Sequence, residues 1–350
     1  MQIIDFSNCE FNNRHGRYGG AAGDKDGILY NGENWIIKYP KSTRSMQGEE
    51  KPSYTTSPLS EYVGSHVYQI LGYDVHETLL GIRNNRVVVA CKDFQTHMGD
   101  LAEIRTLKNA ANRELQRLTD DELPESVTGD RVSLDELLLH FEHNPLLKAE
   151  KIQERFWDCV VIDILIDNND RNNGNWGILY HEDGSRTIAP IFDNGNAFSN
   201  KTTVESIARY LSEPEHELEN RMTGLRTIYE YKGHVLSAKK MMQLDNDDLR
   251  QAILRVTPKV LENMEQIKTM IQEIPEKSNG YEICPAVVKE YYTKGFETRI
   301  NKLLLPAYRE LEKTPDKSLE ADIASALKQY QENRMEVCDN QNTQRTDRSR

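Results

Sequence analysis

The sequence predicts an α+β chain of two unequal lobes: a small β-rich lobe with one helix over residues 1–94, then a larger, mainly helical lobe over 95–330. Three observations predict it. Up to Phe94 the apolar residues form short runs separated by Asn-Gly, Asn-Asn and glycine-rich turns, which is the pattern of hairpins. Beyond Phe94 they recur at spacings of three and four, the period of buried helix faces. The closing stretch "CDNQNTQRTDRSR" has no apolar residue beyond its cysteine, so residues 331–350 are expected to be a disordered tail.

In chain order, "GRYGGAAGDKDG" at 16–27 is a glycine-rich connection, and "ILYNGENWIIKY" is a hairpin turning at Asn31-Gly32. "PKSTRSMQGEEKPSYTTS" has no periodicity and reads as an exposed loop. A helix follows with Ser57 as N-cap and Pro58 in its first turn. Its apolar stripe is Leu59, Val63, Val67 and Ile70, and Gly72 stops it. "ETLLGIRNNRVVVACKDF" gives two strands about an Asn-Asn turn. Residues 132–142 and 148–166 are helical, "WGILYHEDGSRTIAPIFDNG" is a hairpin about Asp183-Gly184, and nearly everything from about 203 to 330 is expected to be helix.

The net charge of −12 over 350 residues argues against a nucleic-acid-coating protein, which needs a positive surface to displace counterions. A mean hydropathy of −0.70 and the absence of a long apolar run or a basic leader point to a soluble, cytoplasmic chain without stable membrane association. Delivery to another cell by a route that uses no cleaved signal stays open. Five scattered cysteines suit a reducing compartment rather than a disulfide framework or a zinc site.

The chemistry concentrates in "IDNNDRNNGNWG", 166–177, behind an apolar helix. Asp170 and Asn175 form Asp-x-x-x-x-Asn, a spacing that places a base and a metal ligand on one rigid loop. Asp193 in "APIFDNG" ends an apolar strand, and the intervening hairpin returns it to the edge it shares with Asn175. An Asp and an Asn suit magnesium, a hard cation that takes few protein oxygens. A solvated turn uses the same residue types, and a calcium loop fails because Arg171 and Tyr180 would fall at ligand positions. In the first lobe the backbone of the glycine-rich loop is suited to cover a triphosphate, although no Gly-Lys-Ser/Thr opens a helix there. Alternation puts Ile36 and Lys38 on one strand face, opposite Trp35, Ile37 and Tyr39; with both faces apolar-lined, Lys38 points inward and needs anions. Glu61, off the helix stripe, is the candidate carboxylate partner, though a plain solvent position fits its place on the wheel equally well. "VVVACKD" at 87–93 reads as a connector offering backbone groups to an adenine edge, or as a buried strand.

Over residues 2–308 the blocks "IDFSNCE", "YGGAAGDK", "SYTTSPLSEYVGSHV", "HETLLG", "VVVACKDF", "RFWDCVV", "NNDRNNGNWG" and "APIFDNG" resemble, in order, the HipA-like serine/threonine kinases of the compact cell-translocating type. The resemblance implies a bilobal protein-kinase-like fold, ATP with Mg2+, and transfer of the γ-phosphoryl group to a protein Ser or Thr, including autophosphorylation. By position it implies Asp170 as catalytic aspartate, Lys38 as phosphate anchor, Asn175 and Asp193 as metal ligands, and Gly19, Gly20, Gly23 and Lys25 at the phosphate loop. Ala90 and Lys92 fall at the adenine-facing hinge, and Glu61 pairs with Lys38. Three departures matter. HipA proteins carry a further N-terminal subdomain, so a HipA-style antitoxin partner is left open. The loop from Gly16 to Gly27 has Tyr18 but no Ser or Thr, and the family's Asp-Arg-His becomes Asp170-Arg171-Asn172. "NDRNNGNW" and "IAPIFDNGNAF" are also similar to type II phosphatidylinositol 4-kinases, but the palmitoylated cysteine cluster that anchors those enzymes is absent from this sequence. A nucleotide-binding pseudokinase scaffold is the other alternative; it has no need of base, lysine and both metal ligands together. Small-molecule kinases place His before the catalytic Asp, where this chain has Asn169. The protein substrate is not legible.

Overall fold

The computed structural model describes residues 1–18, 25–44, 51–119, 123–127, 129–149 and 151–312. The glycines at 19, 20 and 23 and the expected tail at 331–350 lie outside them.

The described residues among the first ninety-odd build one five-stranded sheet and one helix. The strands are β1 (Ile4–Asp5), β2 (Lys25–Tyr30), β3 (Glu33–Lys38), β4 (Thr78–Arg83) and β5 (Arg86–Lys92), in the order β1-β4-β5-β3-β2. β1 runs parallel to β4, and the other pairs are antiparallel. Both expected hairpins form through left-handed residues: Asn31 (φ 51°) with Gly32 (φ 77°), and Asn84 (φ 50°) with Asn85 (φ 57°). Asparagine tolerates this region because its short side chain bonds locally.

Helix α1 spans Ser57–Ile70. Its N-cap is Thr56, one residue before the expected Ser57. The start is set by tertiary bonding: Thr56 N donates to the Asn200 carbonyl (2.8 Å), and the Thr56 carbonyl accepts the first helical bond, from Ser60 N (3.0 Å). At the other end Gly72 sits at φ 80°, and Tyr73 N reaches back to the Tyr68 carbonyl (3.0 Å), a glycine-terminated C-cap. Leu59, Val63 and Val67 are buried as the stripe requires. The opposite side is buried too, because α1 lies between the sheet and the long helix Asp247–Gln272.

From Ile104 helices dominate. Ile152–Leu165 forms the apolar helix that delivers the chain into the 166–177 loop, and the hairpin Gly177–Tyr180 with Arg186–Ile188 joins that loop to Asp193. The expectation that nearly everything from about 203 to 330 is helix, of which 313–330 lie outside the described residues, is corrected at two places. Arg226–Tyr231 pairs with His234–Ser237 through Lys232 (φ 49°) and Gly233 (φ 74°), and Lys277–Ser278 pairs with Tyr281–Glu282 through Asn279 (φ 50°) and Gly280 (φ 82°). Each is a short turn of left-handed residues, a local signal hidden among helical stripes.

One apolar cluster runs from Leu80 and Val89 of the sheet through Val63 and Val67 to Trp157, Ile162, Val256 and Val260. A second, smaller one (Phe6, Ile28, Trp35, Ile37, Tyr39, Val88, Ala90) covers the outer sheet face. No helix among the described residues is long and apolar enough to cross a membrane.

Candidate active site

Alternation along β3 decides where Lys38 goes. Trp35 and Ile37 fill the outer cluster, so Ile36 and Lys38 face α1. The Lys38 ammonium donates to Glu61 Oε2 (3.1 Å) and Asp193 Oδ1 (3.0 Å), joining the sheet, α1 and a loop 155 residues downstream. Burial alone would pull the Lys38 pKa down; Asp193 and Glu61 outweigh it and hold it well above the ordinary lysine value. Burial would push Glu61 up, but Lys38, a hydrogen bond from His76 and the Asn194 N–H keep it well below the usual carboxylate range. Lys38 likewise lowers Asp193 against burial. All three groups are held ionised. Glu61 is 1% exposed and the Asp193 side chain 41%, so Glu61 supports from behind while Asp193 opens to solvent.

The short polar residues of 166–177 bond the loop to itself. Asn168 Nδ2 donates to Asp163 Oδ1 (2.9 Å), and Asn168 Oδ1 accepts from Asp170 N (3.2 Å). Asn172 Nδ2 donates to Asp170 Oδ1 (3.0 Å), and its oxygen accepts from Gly174 N (2.9 Å). The Asn175 amide nitrogen bonds the Asp170 carbonyl, which turns the amide oxygen the other way. Burial raises the Asp170 pKa, the Asn172 bond opposes it, and the charge on Asp193 adds to the rise.

Arg171 locks this loop to the Asp193 loop. Its guanidinium, 2% exposed, pairs with Asp163 (2.9 and 3.0 Å) and donates to the carbonyls of Asn175 (3.2 Å) and Phe192 (2.6 Å) and to Asn194 Oδ1. Asn175 and Asp193 are thereby fixed from the same buried cation. Asp193 itself sits at φ 61°, a left-handed aspartate whose neighbours Phe192 and Asn194 are both held by that arginine.

Not every expected residue joins the cluster. Lys25 lies opposite Lys38 in the β2–β3 ladder; burial and the Lys38 charge lower its pKa while Asp193 opposes them. Ala90 does not face the site: it is fully buried in the outer cluster beside Ile37. Lys92 points away as well, with its ammonium 2.7 Å from Glu33 and 3.4 Å from Glu77. The strand period of two is the reason, since it puts Cys91, between them, on the Lys38 side. Donor atoms of Glu61, His76 and Cys91 all lie within 4.8 Å of one another.

No family model matches the sequence. Over 314 residues, 87% of each chain, it is 33% identical to the serine/threonine-protein kinase CtkA of Helicobacter pylori. The chain belongs to the CtkA family of serine/threonine-protein kinases. The crystal structure of a Helicobacter pylori proinflammatory kinase CtkA matches this CtkA-family chain with a TM-score of 0.75 and 30% identity, over 90% of this chain and 100% of that one. The α+β kinase fold expected from the sequence is therefore the fold observed. HipA of Shewanella oneidensis, solved with HipB and operator DNA, scores 0.46 at 13% identity, covering 83% of this chain and 67% of that one.

In this CtkA-family kinase, sequence reading missed Arg171, Asp163, Asn194 and His76. Only Arg171 carried a signal: an arginine directly after the candidate base and eight residues beyond a helical aspartate.

Proposed function

We propose that this kinase transfers the γ-phosphoryl group of ATP, with magnesium, to a serine or threonine hydroxyl of a protein, including its own. Lys38 carries the proposal: one ammonium meets both a helix carboxylate and Asp193, the arrangement required to present a charge to phosphate oxygens. The donor set fits a hard divalent cation, with the amide nitrogen of Asn175 committed to Asp170 and Asp193 kept ionised and open to solvent. Asn175 and Asp193 are the residues that would hold magnesium, whose chemistry is to offset phosphate charge. Burial, with the Asp193 charge added to it, raises Asp170, and a cation between the two carboxylates would offset that charge.

Lys38 anchors phosphate oxygens, and Glu61 holds Lys38 extended from α1. Asp170 orients the acceptor hydroxyl and takes its proton as the new O–P bond forms and the bond to the departing diphosphate breaks. Arg171 keeps the two loops in register and touches no reacting atom. Positioning and electrostatics supply most of the rate. The decisive assay incubates wild type and Asp170→Ala with γ-labelled ATP and either a generic basic protein or phosphatidylinositol liposomes. Label on protein, with the variant silent, is the expected result; label on lipid alone, or wild-type-like labelling by Asp170→Ala, would overturn the assignment.

A further inference from the structure

We infer that His76 is a positioning residue that sets Glu61 for Lys38 and couples that setting to the Asp193 loop; this rests on the roles given above to Lys38, Glu61 and Asp193. His76 lies between α1 and β4 and is 6% exposed. Its Nε2 is 2.9 Å from Glu61 Oε1 and 3.2 Å from Ser65 Oγ. A carboxylate only accepts, so the hydrogen-bond network places a hydrogen on Nε2, donated to Glu61. Glu61 Oε2 is thereby left to Lys38, while Oε1 is shared by His76 and the Asn194 backbone N–H (3.1 Å). The two oxygens have separate duties, and the carboxylate plane is fixed.

The histidine is fixed from the opposite direction as well. Its backbone N–H donates to the Ile191 carbonyl (3.0 Å), and Ile191 N returns a bond to the Asp74 carbonyl (2.9 Å), a parallel bridge through Val75. Ile191 is two residues before Asp193. Ser65 Oγ, beside the imidazole, also accepts from Asn194 Nδ2 (3.0 Å). His76 therefore holds one partner of Lys38, Glu61, through its ring, and the segment that leads into the other, Asp193, through its backbone. A shift of the Asp193 loop moves the group that holds Glu61.

Cys91 offers a rival use of the same space, since Glu61, His76 and Cys91 together form a donor set for a soft divalent cation. The test is a double-mutant cycle on the full chain with ATP and a basic protein acceptor. His76→Phe is expected to lower kcat about tenfold with the acceptor KM unchanged, and His76→Gln, which keeps an N–H, to recover most of it. Adding His76→Phe to Glu61→Gln is expected to cause no further loss. Additive losses, or His76→Phe with wild-type turnover beside an impaired Glu61→Gln, would overturn the positioning role. Wild-type turnover by Glu61→Gln would instead overturn the site reading on which it rests. Should His76→Phe not fold, His76→Asn, a shorter donor, replaces it in the cycle with the same expectations. Cys91→Ala is expected to leave turnover intact; a loss matching that of His76→Phe, with zinc retained by wild type only, would assign the triad to a metal and overturn the proposal.

Discussion

At the scale of single residues the site works by opposing desolvation with specific partners. Asp170 is the informative case, because burial and the Asp193 charge raise its pKa while the Asn172 bond, with smaller help from the charges of Lys41 and Lys201, pulls it down. The base must be ionised to act, so the acid limb of the kcat–pH profile is expected above the ordinary aspartate value of about 3.9. Asn172→Ala removes the bond to the charged form and is expected to move that limb to higher pH; a shift to lower pH would contradict the assignment. Asp170→Ala is expected to reduce kcat by about 10²–10⁴-fold while nucleotide affinity stays nearly intact. Asp193→Asn removes a carboxylate that faces Lys38 at 3.0 Å. It is expected to abolish the magnesium-dependent part of the ATP-induced rise in melting temperature. Lys38→Ala is expected to impair turnover, and unchanged turnover would mean that another lysine, Lys25 first, anchors the phosphates.

At the scale of elements, two close approaches hold the site together. Arg171 joins the loop after Ile152–Leu165 to the one after Arg186–Ile188, and it balances the buried Asp163. Arg171→Met strands that carboxylate and is expected to cost about 3–5 kcal/mol in chemical denaturation. Gly64 is the other approach: a Cβ there would stand 2.9 Å from Asn194 Cβ, so α1 and the Asp193 loop touch because the side chain is missing. Gly64→Val is expected to push Asn194 away and lower turnover more than it lowers stability, measured as kcat against denaturation midpoint. These contacts also mark the limit of what the sequence disclosed. Asn-Gly turns, the β3 alternation and the helix stripe are local rules, and they located Lys38, the two hairpins and α1 correctly. Whether Glu61 met Lys38 or water depended on the packing of α1 against a sheet and a distant helix, which no local pattern encodes. For Ala90 and Lys92 the position-by-position resemblance marked places along the strand but not the side to which each side chain points, which only the strand register shows.

At the scale of the molecule, α1 belongs to one continuous apolar cluster with the sheet residues Leu80 and Val89 and the helix residues Val256 and Val260. The sheet and the helices are therefore expected to unfold together. Fluorescence of Trp35, in the outer sheet cluster, and of Trp157, in the main cluster, is expected to report the same denaturant midpoint when each is followed alone. The ion pair that unites Lys38 with Asp193 spans 155 residues of chain, and this has a consequence for biosynthesis. Translation delivers the ammonium and Glu61 well before the second carboxylate, and before the helix Asp247–Gln272 that covers α1. Val63 and Val67 lack that part of their apolar cover during the interval, and exposed hydrocarbon of this kind is expected to be prone to aggregation. A ribosome stalled short of Asp193 carries Lys38 with only one of its two carboxylate partners, so the ion-pair cluster is complete only once the later part of the polypeptide has been made.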